Sequence, residues 1–127
     1  MPLTKKPVFT DQSAPIGAPY SQAIVIGDLV YCSGIIPQKP DGEIVRTDIQ
    51  SQTRVILSNV ANVLKASGSD IQNLVKVNVY LRDMADFDAM NKVYDEILPN
   101  PKPARTCIQP GRLPKDVDIE IECVAHL

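Results

Sequence analysis

Histidine is nearly absent from this chain: the single one among 127 residues is His126, next to the C-terminus. A Ser-His-Asp triad, a Cys-His pair or a multi-histidine zinc site cannot be assembled on it unless the terminus bends back into a site. Acid–base chemistry would then fall to carboxylates, Tyr, Lys, Cys or water. Tryptophan is missing and phenylalanine occurs twice, so the core has to be aliphatic, built from Val, Ile and Leu. A basic excess is missing too. Lys plus Arg is 13 against 15 for Asp plus Glu, a net charge of −2, which speaks against a dedicated nucleic-acid binder. Cysteine is scarce: Cys32, Cys107 and Cys123 are odd in number and form no C-x-x-C pair, which argues against a disulfide framework or a zinc knuckle. Each lies in an apolar, strand-like stretch and reads as a small buried hydrophobe in a reducing compartment. No run approaches the roughly 18 apolar residues of a membrane span, and no signal or transit pattern follows Met1-Pro2-Leu3. A soluble, intracellular protein is expected.

What is present reads as one α+β domain over residues 1–127, with residues 1–19 as an N-terminal arm or loop. Pro2, Pro7, Pro15 and Pro19 punctuate that arm, which has room for a short strand around Val8 and Phe9. Residues 21–26 and 29–37 are β-rich and flank Gly27-Asp28, a two-residue hairpin signal. Pro40-Asp41-Gly42 marks a further turn. The spacing of Ile49, Thr53, Ile56, Leu57, Val60, Val63 and Leu64 predicts a helix over 47–66, with Thr47 and Gln50 as a capping box and Gly68 past its end. Val75, Val77, Val79 and Leu81 alternate with Lys76, Asn78 and Tyr80, a half-buried strand. A second helix starts at Asp83, stops before Pro99 and carries Phe87, Met90, Tyr94, Ile97 and Leu98 on its inner face. Two strands, 103–109 and 117–125, close the chain. The order ββ-α-β-α-ββ implies one mixed sheet with both helices on one face, leaving the other face open unless another subunit covers it.

Several residues are of types that carry chemistry. Arg105 lies outside any surface charge run. Its fork suits a planar carboxylate or phosphate, or an ion pair with Glu120 or Glu122. Glu120 and Glu122 share one face of the last strand, either as a solvated face or as a base that handles water. Tyr20 opens a strand as a packing or edge residue. Ser33-Gly34 interrupts a strand where a glycine marks close approach of backbone or ligand. Asn91 is a polar residue on an apolar helix face and needs a partner. Cys107 has no histidine to activate it as a nucleophile. Asp83, Asp86 and Asp88 read as helix-capping acids. Neither G-x-x-x-x-G-K-S/T nor G-x-G-x-x-G occurs, so nucleotide cradles are unsupported.

Taken together, Ala18-Pro19-Tyr20, Ser33-Gly34-Ile35-Ile36-Pro37, Phe87-x-x-x-Asn91-x-x-Tyr94, Pro103-Ala104-Arg105-Thr106-Cys107-Ile108 and the run Leu113-Pro114-Lys115-Asp116-Val117-Asp118-Ile119-Glu120-Ile121-Glu122 form a recognisable series. From Pro15 to Val124 the chain resembles the Rid (RidA/YjgF) family of reactive intermediate imine deaminases. Ala18, Ile35 and Thr106 stand where that family more often has glycine, glutamine and serine. The resemblance implies a chorismate-mutase-like homotrimer whose sheets form a central barrel-like core, with sites between subunits. It implies that Arg105 holds a substrate carboxylate and that Glu120 positions or activates water. Tyr20, Ser33, Gly34, Asn91 and Cys107 would line the pocket, Tyr20 from a neighbouring subunit.

The implied reaction is hydrolysis of 2-iminobutanoate and 2-iminopropanoate, or their enamine tautomers, to 2-oxo acid and ammonia. Pyridoxal-phosphate dehydratases release these compounds. No metal or organic cofactor is implied. The cytoplasm is the expected compartment, with the mitochondrion as alternative, and no membrane partner is expected. Two other readings stand beside it: an RNA-directed ribonuclease or translation inhibitor, which the charge balance opposes, and a non-catalytic module that binds small acids or acts like a chaperone.

Overall fold

The structure is a computed structural model that describes residues 2–127. It has six strands, β1 (Lys6–Val8), β2 (Ala23–Ile26), β3 (Leu29–Ile35), β4 (Leu74–Leu81), β5 (Ala104–Ile108) and β6 (Ile119–His126), and two helices, α1 (Ile49–Ala66) and α2 (Phe87–Ile97). The strands form one sheet in the order β1-β2-β3-β6-β4-β5. All neighbours are antiparallel except β4 and β5, which run parallel because α2 crosses between them. This is the mixed α+β sheet with two helices expected from the sequence.

The β2–β3 hairpin closes with Ile26 opposite Leu29, so Gly27-Asp28 is a two-residue turn. Gly27 takes a φ of +56°, the left-handed conformation that such turns require and glycine adopts at little cost. The start of α1 differs from the expected capping box. Asp48 is the N-cap, and its carboxylate accepts from the Ser51 backbone N–H at 3.0 Å and from the Ser51 hydroxyl at 2.8 Å. Thr47 sits one residue outside, and Gln50 donates instead to the Ala89 carbonyl of α2. At the other end Gly68 has φ +84°, as a residue past a helix terminus does. Asp83 caps a 3-10 turn over Met84–Asp86, accepting from Ala85 N–H, and α2 proper begins only at Phe87.

The two helices pack on each other and on one face of the sheet. Ile56, Val63, Leu64 and Met90 meet Val30, Val79, Leu81, Ile119 and Ala125 in a core where each is fully buried. Polar groups on the inner face of α1 tie it to the chain around it. Gln52 donates to the Thr47 carbonyl at 2.8 Å and to Asp118 at 2.9 Å, and Asn59 donates to the Gln38 carbonyl at 2.6 Å. Cys32 and Cys123 oppose each other across β3 and β6 as buried free thiols. No helix among the described residues is long and apolar enough to cross a membrane.

Strand alternation gives the opposite face of the sheet a different character. It carries Tyr31, Lys76, Asn78, Tyr80, Glu120, Glu122 and Val124, all half-buried or exposed, with no helix over them among the described residues. Tyr31, 48% exposed, lies opposite Val124, so the face is partly apolar.

Candidate functional site

Arg105 leaves β5 on the helix side of the sheet, because it pairs in register with Val77, which is buried beneath the helices. There it reaches α2. Its Nη1 donates to Asn91 Oδ1 at 2.7 Å. The guanidinium carbon lies 4.7 Å from the centroid of the Tyr94 ring and 5.5 Å from that of Phe87. Residues 87, 91 and 94 share one face of a helix, so a single element supplies both the amide that orients the fork and the rings it stacks on. Asn91 thus finds its partner. Arg105 forms no ion pair among the described residues, and the pairing with Glu120 or Glu122 considered from the sequence is not made. Those glutamates lie across the sheet.

Cys107 follows on the same side of β5. Burial pushes its thiol up and the Arg105 charge offsets this only in part, which keeps it a neutral thiol that lines the wall. Tyr94 is pushed up to about 12 by burial, again partly offset by Arg105, and its hydroxyl is buried with no hydrogen-bond partner among the described residues.

A second group gathers on the other side. Glu120 of β6 packs against Gly34 of β3 so closely that a Cβ on Gly34 would collide with the carboxylate, lying 2.9 Å from its Cδ. The glycine therefore leaves room for Glu120, beside the β-bulge that shifts register between Cys32 and Ile35. Ser33 is fixed by its N–H donating to the Gln22 carbonyl at 3.0 Å and its hydroxyl donating to the Ser21 carbonyl at 2.7 Å. Tyr20 is 44% exposed. The arm that carries it is pinned by the Gln22 side chain, which accepts from Thr10 N–H at 2.6 Å and donates to the carbonyls of Thr10 and Ala14. A cavity of about 470 Å³ opens between residues 13–20 of this arm, the Ser33–Ile36 stretch, Lys115 and Glu120. Ile35 borders it, but pairs with Ile121 and is 7% exposed in the core. Burial, and then the neighbouring charge of Glu122, raises the Glu120 carboxyl above the ordinary carboxylate range.

The seven residues that the resemblance places at a site therefore form two groups within one chain. Asn91, Arg105 and Cys107 gather on the helix side of β5; Tyr20, Ser33, Gly34 and Glu120 gather at the other side, near the start of β6. Sequence reasoning passed over Tyr94 as a stacking platform and Gln22 as the anchor of the arm. The i, i+3 spacing of Asn91 and Tyr94 was the available signal for the first, and nothing local marks the second.

The sequence matches the family described as Endoribonuclease L-PSP over residues 11–127. A RutC family protein of Pyrococcus horikoshii is 48% identical over 96% of this chain and 98% of its own length. The protein named Reactive Intermediate Deaminase A, chloroplastic, of Arabidopsis thaliana is 42% identical over 97% of this chain and 67% of its own length. The crystal structure of yeast Mmf1 superposes with a TM-score of 0.94 at 41% identity, covering 97% of this chain and 98% of that one. On sequence and fold together, this chain belongs to the Endoribonuclease L-PSP family, which is the YjgF/RutC/Rid family.

Proposed function

We propose that the protein hydrolyses reactive 2-imino acids, 2-iminobutanoate and 2-iminopropanoate or their enamine tautomers, to 2-oxo acids and ammonia, in sites formed between the subunits of a homotrimer. The observation that carries this is Arg105: a guanidinium oriented by Asn91, stacked on Tyr94, and left without a carboxylate of its own among the described residues. Such a fork fits a substrate carboxylate in a bidentate pair. A relative bearing the name Reactive Intermediate Deaminase A supports the same chemistry.

The Arg105 group and the Glu120 group belong to opposite faces of one sheet, so one copy offers two half-sites. A neighbouring copy that brings its Glu120 side against this copy's Arg105 side completes the constellation, and the uncovered sheet face supplies the contact surface. Arg105 then holds the carboxylate and so fixes the imine carbon beside a water that Glu120 holds. As the water oxygen attacks carbon, the π pair of C=N moves to nitrogen. Glu120 takes one water proton, and the nitrogen, protonated, becomes the amine of a carbinolamine. The C–N bond then breaks, ammonia leaves with its electron pair after a further protonation, and the hydroxyl proton is lost to give the 2-oxo acid. Tyr20, Ser33, Gly34 and Cys107 shape the pocket around these atoms. The chain does this work in the cytosol, on imino acids released by dehydratases.

The experiment couples a threonine dehydratase to this protein and follows 2-oxobutanoate. Faster conversion of the imine than in buffer is expected. A rate equal to that of buffer overturns the reading. Binding of 2-oxobutanoate without turnover would instead identify a module that only holds small acids.

A further inference from the structure

Glu122 is the one carboxylate on the open sheet face with a built environment of its own. Two residues beyond Glu120 on β6, it points to the same side. On the adjacent strand, the Tyr80 hydroxyl donates to Glu122 Oε1, and Asn78 Nδ2 donates to the same oxygen at 3.3 Å. Tyr80 stands in register opposite Glu120, yet its hydroxyl reaches diagonally to Glu122, so the ring lies between the two glutamates. Both carboxylates and Tyr80 face an open cavity of about 320 Å³, bordered by Gly34, Pro110, Arg112 and Leu113.

We propose that Glu122 is a positioning residue for the deamination: its carboxylate, anchored by Tyr80 and Asn78, keeps a negative charge beside Glu120 and so strengthens the pull of Glu120 on the proton of the attacking water. This rests on the deaminase reading and adds a residue to it. A general base works best when it binds its proton near the working pH, and an isolated surface glutamate binds it too weakly. The groups facing Glu120 account for the balance. From β6 comes Glu122, and from β4 the neutral hydroxyl of Tyr80. β3 contributes Gly34, which has no side chain. The loop before β6 brings Arg112 and Lys115, of which Arg112 is engaged by Asp116 at 2.8 and 3.2 Å. The arm brings Tyr20. The Tyr80 hydroxyl is pushed up to about 12, chiefly by its hydrogen bond to Glu122, which keeps it a donor at neutral pH. Glu120 is raised by burial and by the charge of Glu122, the direction the proposal requires.

The test compares wild type with Glu122→Gln, Glu122→Asp and Tyr80→Phe in the full-length protein. Gln keeps an oxygen that accepts from Tyr80 and Asn78 and removes only the charge. Two readouts are taken: the pH dependence of kcat and of kcat/KM for imine hydrolysis, and the titration of the Glu120 carboxyl carbon by NMR without substrate. In Glu122→Gln the Glu120 midpoint and the acid limb of the rate profile move to lower pH, and kcat falls roughly 2- to 5-fold with KM unchanged. Glu122→Asp stays close to wild type. Tyr80→Phe keeps the Glu122 side chain and is expected to leave the Glu120 midpoint no lower than wild type; a midpoint as low as that of Glu122→Gln overturns the role of Glu122. An unmoved Glu120 midpoint in Glu122→Gln, or an equal shift in Glu122→Asp, overturns the role of Glu122 while leaving the deaminase reading intact. A wild-type protein that does not accelerate imine hydrolysis overturns both.

Discussion

Arg105 and Gly34 show how much single residues decide here. Under the proposed function the Arg105 fork makes two charge-assisted hydrogen bonds to a substrate carboxylate, so Arg105→Ala is expected to lower kcat/KM by roughly 10²- to 10⁴-fold. Steady-state assays of imine hydrolysis check this. Arg105→Lys keeps the charge but neither the fork nor its stacking on Tyr94, and is expected to recover only a small part. Gly34→Ala acts on the other half. The new Cβ pushes the Glu120 carboxylate away, so activity falls while circular dichroism and thermal midpoint stay near wild type. Full activity in Gly34→Ala would mean that Glu120 need not sit where it does.

Among the elements, α2 holds the Arg105 group together. Met90 is fully buried on the face of α2 that also presents Asn91 and Tyr94 to Arg105. Met90→Ala leaves a cavity there and is expected to cost about 2–5 kcal/mol in urea unfolding. The Asp48 cap of α1 adds a pH dependence. Hydrogen bonds from Ser51, side chain first and then backbone, hold the Asp48 carboxyl below its ordinary value. The folded value is the lower one, so the stabilisation is present above the unfolded value and is lost as pH falls through the folded one. Asp48→Ala should therefore lower the thermal midpoint at neutral pH and narrow the gap from wild type as the solution is acidified. Strand alternation and the 3.6-residue period made the strands and helices legible within a few residues. Local pattern did not distinguish Asp48 from Thr47 as the cap, since both types suit that position. Nor did it separate the 3-10 turn at Asp83 from α2, since one acidic cap serves either.

At the scale of the whole molecule, what the sequence could not express was which strands adjoin and which face each residue takes relative to distant strands. The alternation of β5 and the alternation of β6 were each visible, with Arg105 and Cys107 on one side and Glu120 and Glu122 on one side. Their relation depends on β4 lying between them, parallel to β5 and antiparallel to β6. Only that pairing separates Arg105 from Glu120 across the sheet. The motif residues were legible as a set, and the resemblance implied sites between subunits; which of them fall on which face of the sheet was not legible. Under the proposed function the two groups meet only in an assembly, and light scattering in solution is expected to return three times the 13.9 kDa chain mass.

Subunit complementation tests that division most directly. Arg105→Ala and Glu120→Ala are each expected to be inactive alone in imine hydrolysis. Unfolded together in equal amounts and refolded, they form mixed trimers in which about a quarter of the sites join an intact Arg105 half to an intact Glu120 half from different copies. Recovery of about that fraction of wild-type activity is expected. No recovery, with mixed trimers demonstrated by mass, would contradict it and place both residues of each site in one chain.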